Sequence, residues 1–194
     1  ISLRKSYDEV PTKVAEVETA TQIFNDYVSE LKVIKTKETY SDVHSLYTDN
    51  EYFDLFAQKL IHGNASEALK GKNKVVLSKT TALKYFGTTD CVGEQLEMEA
   101  WGAPQYTVTG VVEDLPDNSH FNFDILVSME TLPLDEFNME FQTYYLIKKG
   151  VDVATVSKKI EKANDEVMKS FLEKTGLNTM SYTHLLKDVH FFTE

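Results

Sequence analysis

From Asp152 onward the apolar positions Val153, Val156, Ile160, Ala163, Val167 and Phe171 recur every three or four residues. That spacing predicts an amphipathic helix with one buried stripe. Asp152 is placed to cap its start and Gly176 to stop it in a left-handed turn. Upstream the period shortens to two. Tyr106, Val108, Gly110 and Val112 alternate with Thr107, Thr109 and Val111, predicting a strand with both faces at least partly covered. Phe121, Phe123 and Ile125 repeat the period of two, residues 141–147 predict another strand, and residues 177–189 predict a last one.

The remaining elements are shorter. Residues 2–16 are polar with scattered apolar positions and are interrupted by Pro11, which predicts one or two helical turns on each side of a kink. Residues 19–47 are rich in Thr, Val, Ile and Tyr and predict two or three strands, with the charges of residues 35–38 marking a turn. Asp49-Asn50 is a natural cap pair. Phe53, Phe56 and Leu60 then fall at helical spacing, predicting a helix from Glu51 that Gly63-Asn64 ends. Val75 to Leu77 is a short apolar run, read as a buried strand. Ser78 is placed to cap a helix with Ala82, Leu83 and Phe86 on one face, and Gly87 to close it. In Pro116-Asp117-Asn118-Ser119 proline presets its dihedral while the Asp, Asn and Ser side chains bond back to nearby amides. Mixed strands followed by a strand, helix, strand ending predict an α+β architecture over a doubly wound parallel sheet.

Composition narrows what such a fold can do. The 194 residues, 42% hydrophobic, suffice for one sizeable core or two small linked subdomains. Twenty basic against 31 acidic residues give a formal net charge of −11. Nucleic acid and anionic lipid surfaces are therefore poor partners, since both require a concentrated basic patch. No apolar stretch approaches the roughly 18–20 residues of a membrane-spanning helix. The abrupt charged start without methionine predicts a segment of a longer protein. Cys91 is the single cysteine, which excludes an internal disulfide and a multi-cysteine zinc site.

Motifs for chemistry fail on inspection. GNASEALKGKN has Ser66 where a phosphate-binding loop needs its first glycine and Asn73 where it needs Ser or Thr. His44, His62, His120, His184 and His190 lack ligand spacing, so neither a metal nor another cofactor is expected. The carboxylate pairs Asp49/Glu51, Glu113/Asp114 and Asp135/Glu136 are what an acidic chain produces by chance. Ser119-His120 lies outside any GxSxG elbow and is read as turn and strand start. The aromatic pairs Tyr52-Phe53, Tyr85-Phe86 and Tyr144-Tyr145 are read as core, and Phe191-Phe192, past the last predicted strand, as the exception. The expectation is a protein without catalytic activity.

Four segments in fixed order carry more information. NEYFDLFAQKLIHGNASEAL is followed by VVLSKTTALKYFG, by DCVGEQLEM, and by YTVTGVVEDLPDNSHFNFD; HLLKDVHF closes the chain. This series resembles the periplasmic core domain of MacB-type, FtsX-like ABC transporter permeases, where a segment of the form VVLT..A..YFG..DPIGK.L......YTVTGVV.DLP.NSHF.FD recurs. Cys91 stands where that pattern has proline, and the expected first strand is not evident at the N-terminus. The positions matching the pattern are Gly63, Gly87, Gly93, Gly110, Asp114, Pro116, Asn118, Ser119, His120 and His190. All are expected to be structural.

The resemblance implies an extracytoplasmic domain between the first two of four transmembrane helices of an inner-membrane protein. It implies a βαβ-containing membrane-proximal subdomain, placed at residues 1–63 and 131–194, and an inserted, mainly β subdomain at 64–130. It further implies mechanotransmission: a separate cytoplasmic ABC ATPase drives the protein's own transmembrane helices, and a permease dimer passes the motion to export, lipoprotein handling or a periplasmic partner protein. The alternative is a free-standing periplasmic module for a peptide, lipid or sugar, which would require a deep, mostly apolar pocket.

Overall fold

The computed structural model describes residues 2–101, 104–116, 119, 120, 122–133, 139–176 and 181–186. In chain order the elements are β1 (Ser2–Leu3), α1 (Arg4–Lys13), β2 (Val17–Val33), β3 (Thr39–Thr48), α2 (Glu51–Leu55), β4 (Leu60–Gly63), β5 (Lys74–Ser78) and α3 (Lys79–Phe86). They continue with β6 (Gln95–Met98), β7 (Gln105–Val112), β8 (Ile125–Ser128), β9 (Met139–Ile147) and α4 (Val153–Thr175). The architecture is α+β, as the element pattern predicts. The chain divides into two compact units, Gln22–Leu134 and a second formed by Ile1–Thr21 with Asp135–Glu194.

The unit of residues 22–134 is built on strands. β2 and β3 form an antiparallel hairpin, β3 runs parallel to β8, β8 antiparallel to β5, and β5 parallel to β7. β6 then pairs with β7 on one side and β2 on the other. Six strands therefore close into a ring, β2-β3-β8-β5-β7-β6, and β4 adds to β7 beyond the end of β6. The crossover from β5 through α3 and β6 to its parallel neighbour β7 is of βαβ type. The run KVVLS of β5 can be apolar throughout because neighbours flank it on both edges and it is covered on both faces; Val75, Val76 and Leu77 are fully buried. Leu31, Leu46, Tyr47, Leu96 and Tyr106 join them at 0–1% exposure. Each aliphatic side chain among them stabilises the fold by about 1.5–3 kcal/mol through burial.

The second unit is held where the two ends of the described chain meet. β1 pairs with β9, Ser2 opposite Phe141 and Leu3 opposite Met139. Val10 and Val14 at the end of α1, with Val17, pack against Val156, Ile160 and Ala163 of α4, and Tyr145, Ile147 and Val151 lean on the cluster. Val156, Ile160, Ala163 and Val167 of the predicted stripe are thus its buried face, while Val153 is exposed and Phe171 partly buried. Asp152 accepts the Thr155 N–H at 3.0 Å, and Gly176 closes the helix in a left-handed conformation with its N–H on Leu172 O. The Thr155 hydrogen bonds hold the Asp152 carboxyl below its ordinary pKa.

Several local expectations are corrected. Residues 22–63 belong to the same compact unit as 64–130, because the β2–β3 hairpin and the β3–β8 ladder build them into the ring. α1 is one helix that runs through Pro11, which falls in its last turn and removes only one interior donor. α2 ends at Leu55, and Leu60 lies in β4. The stop is a Schellman-type closure: Gln58 N–H reaches Phe53 O, Ala57 N–H reaches Asp54 O, and Ala57 takes φ +51°. Asn50 does not cap α2 with its side chain; it accepts from Leu69 N–H at 2.8 Å and donates to Ser66 O at 3.1 Å. On α3 the buried face is Thr81, Ala82 and Tyr85, while Leu83 is half exposed.

The predicted strand at 177–189 is absent from its described part, residues 181–186. There the Ser181 N–H donates to the Asp165 carboxylate and the Thr183 N–H to that of Glu161. Side chains of α4 satisfy these amides where a strand neighbour was expected. Phe121, Asn118, His190 and Phe191-Phe192 lie outside the described residues.

Candidate functional site

The turn after β7 and the start of α3 converge in the unit of residues 22–134. Ser78 caps α3, its hydroxyl accepting from Thr81 N–H at 3.1 Å. Asp114 reaches the same helical turn from 34 residues away, accepting from Thr80 N–H at 3.0 Å and from the Thr80 hydroxyl at 2.8 Å. The helix N-terminus leaves amides without intrahelical partners, and a carboxylate is the best acceptor for them. Lys79 pairs with Glu113 at 3.1 Å beside it. Asp114, a residue of the family pattern, thus serves a helix distant in sequence.

Asp124 performs a similar task across three strands. Its carboxylate accepts the His44 N–H at 2.9 Å and faces the Thr81 hydroxyl at 3.4 Å. Its own N–H donates to His44 O, and its carbonyl accepts the Ser78 N–H at 3.0 Å. One residue thereby sets the register of β3, β5 and the entry to β8. Asp124 was not among the residues singled out from sequence, although it is the last letter of the NSHFNFD segment.

Gly63 and Gly110 sit opposite one another in the β4–β7 ladder. A Cβ on Gly63, which has φ +100°, would lie 2.5 Å from Thr109 O; one on Gly110 would lie 2.8 Å from Leu60 Cδ2 and 3.1 Å from His62 O. Close backbone approach is why both positions lack side chains. Gly87 ends α3 in the left-handed region with its N–H on Leu83 O. The Gly93 N–H donates to Val108 O at 2.7 Å. Pro116 O accepts the Ser119 N–H at 2.8 Å, and His120 follows directly in the turn.

The chemistry of this hub is that of scaffolding. Its carboxylates bind backbone amides and threonine hydroxyls, and among the described residues no group of three His, Cys, Asp or Glu is gathered to hold a metal. Cys91 is buried, and burial raises its thiol pKa to about 11. It is therefore almost entirely protonated near neutral pH and a poor nucleophile. A cleft of about 230 Å³ lies between β2 and the loop after β6, lined by Asp26, Tyr27, Val28, Glu99, Ala100 and Trp101. It is open to solvent and smaller than the roughly 300–1,000 Å³ of small-molecule pockets.

Residues 3–163 match the MacB-like periplasmic core domain family. The chain belongs to that family. Its fold is shared with solved structures of low sequence identity. One is a domain of a putative permease protein from Porphyromonas gingivalis, with 21% identity, TM-score 0.65, covering 99% of this chain and 84% of that one. Another is the periplasmic region of MacB from Actinobacillus actinomycetemcomitans, with 14% identity, TM-score 0.70, and 93% and 85% coverage. A third is the extracellular domain of the ABC-type transporter YknZ from Gram-positive bacteria, with 15% identity, TM-score 0.64, and 84% and 82% coverage. No curated protein sequence matches the chain.

The MacB-like core domain is a periplasmic domain of ABC transporter permeases, so the chain is the extracytoplasmic domain of such a permease. The family is one of transporter domains and not a known class of enzyme. Among the described residues no helix is long and apolar enough to cross a membrane.

Proposed function

We propose that this MacB-like domain is a mechanical relay: motion generated by a cytoplasmic ABC ATPase and carried by the permease's own transmembrane helices enters the domain and is passed to a periplasmic partner or substrate. The observation that supports this most is the clamping of the chain's two ends into one unit. β1 lies on β9, and α1 packs on α4 through Val10, Val14, Val156, Ile160 and Ala163. Two attachment points fixed to one small core move together. A displacement imposed on both is delivered without being dissipated between them. The unit of residues 1–21 and 135–194 then corresponds to the membrane-proximal part and residues 22–134 to the distal part, and the working form is a permease dimer. Scaffolding hydrogen bonds between the turn after β7 and the start of α3 are what a stiff relay requires. The open cleft gives little support to a free-standing module for small ligands.

The test uses the full-length permease with its ATPase in nanodiscs. A spin label on the exposed face of α3 in each copy of the permease dimer should report an ATP-dependent change in the distance between the two copies. Val10→Ala combined with Ile160→Ala should leave ATP hydrolysis running while that change shrinks. Label distances indifferent to ATP in the unmodified permease would overturn the relay reading.

A further inference from the structure

In the cleft beside β2 two large aromatic side chains are presented together to solvent by a prepared support. Tyr27 is 62% exposed and Trp101 57% exposed, although both are large enough to be core residues. Neither is loosely held. The Trp101 indole N–H donates to Asp26 Oδ2 at 3.1 Å, and the other Asp26 oxygen accepts the Tyr27 N–H at 2.8 Å. Tyr27 stacks on His44, with ring centroids 4.6 Å apart and planes within 9°. His44 is anchored in turn by Asn25 Oδ1 at 2.7 Å. The rings are thus oriented in advance, with their rotamer entropy already lost.

Charge selects the occupant. Residues 22–31, 39–48 and 99–101 carry Asp26, Glu30, Asp42 and Glu99 and contain no lysine or arginine. Lys32, the next cation along β2, is paired with Glu97 at 3.4 Å. Exposed tryptophan and tyrosine faces attract cations through their ring quadrupoles, and acidic neighbours reinforce the attraction. Anionic lipid and the acidic surface of a second copy, whose formal net charge is −11, are both disfavoured as occupants of this cleft.

We propose that this aromatic cleft docks a basic segment of a partner polypeptide, with one arginine or lysine side chain lying against Trp101 and Tyr27. Tyrosine, tryptophan and a rim of opposite charge are the usual makings of an interface hot spot. The proposal gives the periplasmic partner a place and a chemistry, and rests on the relay reading only in supposing that a partner exists. The peptide titration below can fail while the ATP-dependent distance change is seen, and the reverse.

Trp101 is the chain's single tryptophan, so emission under tryptophan-selective excitation reports on the cleft. Titrating the 194-residue chain with a blocked hexa-arginine peptide should give a saturable change in Trp101 emission that weakens with added salt; hexaglutamate should give none. Tyr27→Ala and Glu99→Gln should each weaken binding by about two- to fivefold, the range expected for an exposed cation–π contact or a rim charge. Glu67→Gln, in the same unit but away from the cleft, should not, and thermal melts confirm that the variants are folded. A titration without saturation, or an equal loss with Glu67→Gln, overturns the proposal. So does emission that responds instead to anionic vesicles, or to self-association abolished by Tyr27→Ala.

Discussion

The two units of this domain solve the problem of stability differently. In residues 22–134, six strands close on themselves, so that each has a neighbour on both edges, and Val75–Leu77 are buried on both faces. In the other unit a two-residue strand and a short helix meet the far end of the chain, and a cluster of six buried side chains joins α1 to α4. The ring is stabilised by many interlocking ladders, the clamp by one apolar cluster, the short β1–β9 ladder and side-chain links such as Ser6 to Asn164 and Lys13 to Glu166. A closed ring loses its stability all at once, whereas the clamp can open while the ring stays folded.

Leu77→Ala should have the largest effect. Leu77 is fully buried in β5, between β7 and β8, and its truncation should cost toward the upper end of about 2–5 kcal/mol. In urea, circular dichroism and Trp101 fluorescence should then shift together; a loss under about 1 kcal/mol would place Leu77 in a site able to collapse around the gap. Ile160→Ala should cost less, about 2–3 kcal/mol, because its neighbours across α1 are small. Here the circular dichroism transition should fall below the fluorescence transition, since Trp101 belongs to the other unit. Coincident transitions would show that the two units unfold as one, and a loss under about 0.5 kcal/mol that the α4 stripe is solvated.

Asp114→Ala sharpens the comparison inside the ring. It removes the acceptor for the Thr80 amide and should cost about 0.5–2 kcal/mol, as the loss of a helix cap does. Hydrogen exchange should accelerate in α3 before β5; uniform acceleration would count against a local capping role. The smallest effect is one of pH. Burial, partly opposed by Asp124, holds the His44 pKa below its ordinary value of 6.5. As pH falls through 6.5, the unfolded chain takes up a proton that the folded chain resists, so stability declines until the folded-state pKa is passed. His44→Gln should flatten that part of the pH profile of urea midpoints. An unchanged slope would remove His44 from the account.

The legibility of these features follows from how local their causes are. α4 announces itself because cap, stripe and stop all lie within one stretch of 23 residues with its flanks. The β5–α3 junction is equally local. The end of α2 is hidden because Ala57, not glycine, takes the left-handed position, and the aromatic spacing of Phe53 and Phe56 extends past it to Leu60. The missing strand at 181–186 is hidden because the decisive acceptors are carboxylates of α4 and not a neighbouring strand. Among the site residues, the glycines and Asp114 can be singled out by pattern, but what they touch cannot. Asp114 meets Thr80, Asp124 meets His44, and Trp101 meets Asp26 across separations of 34, 80 and 75 residues. Only the topology of the ring brings those pairs together.

The attachment of residues 181–183 to α4 has a mechanical consequence. The Ser181 and Thr183 amides hang on Asp165 and Glu161, carboxylates one helical turn apart, and Ser181 also meets Asn164. A pull from the C-terminal side loads these links one after another, like teeth of a zip, before it reaches the apolar face of α4. Weak tension would be absorbed by a short, reversible lengthening of the tether, and only stronger tension would reach the core. On the relay reading, the Asp165 and Glu161 side chains would set the force at which tension reaches the core.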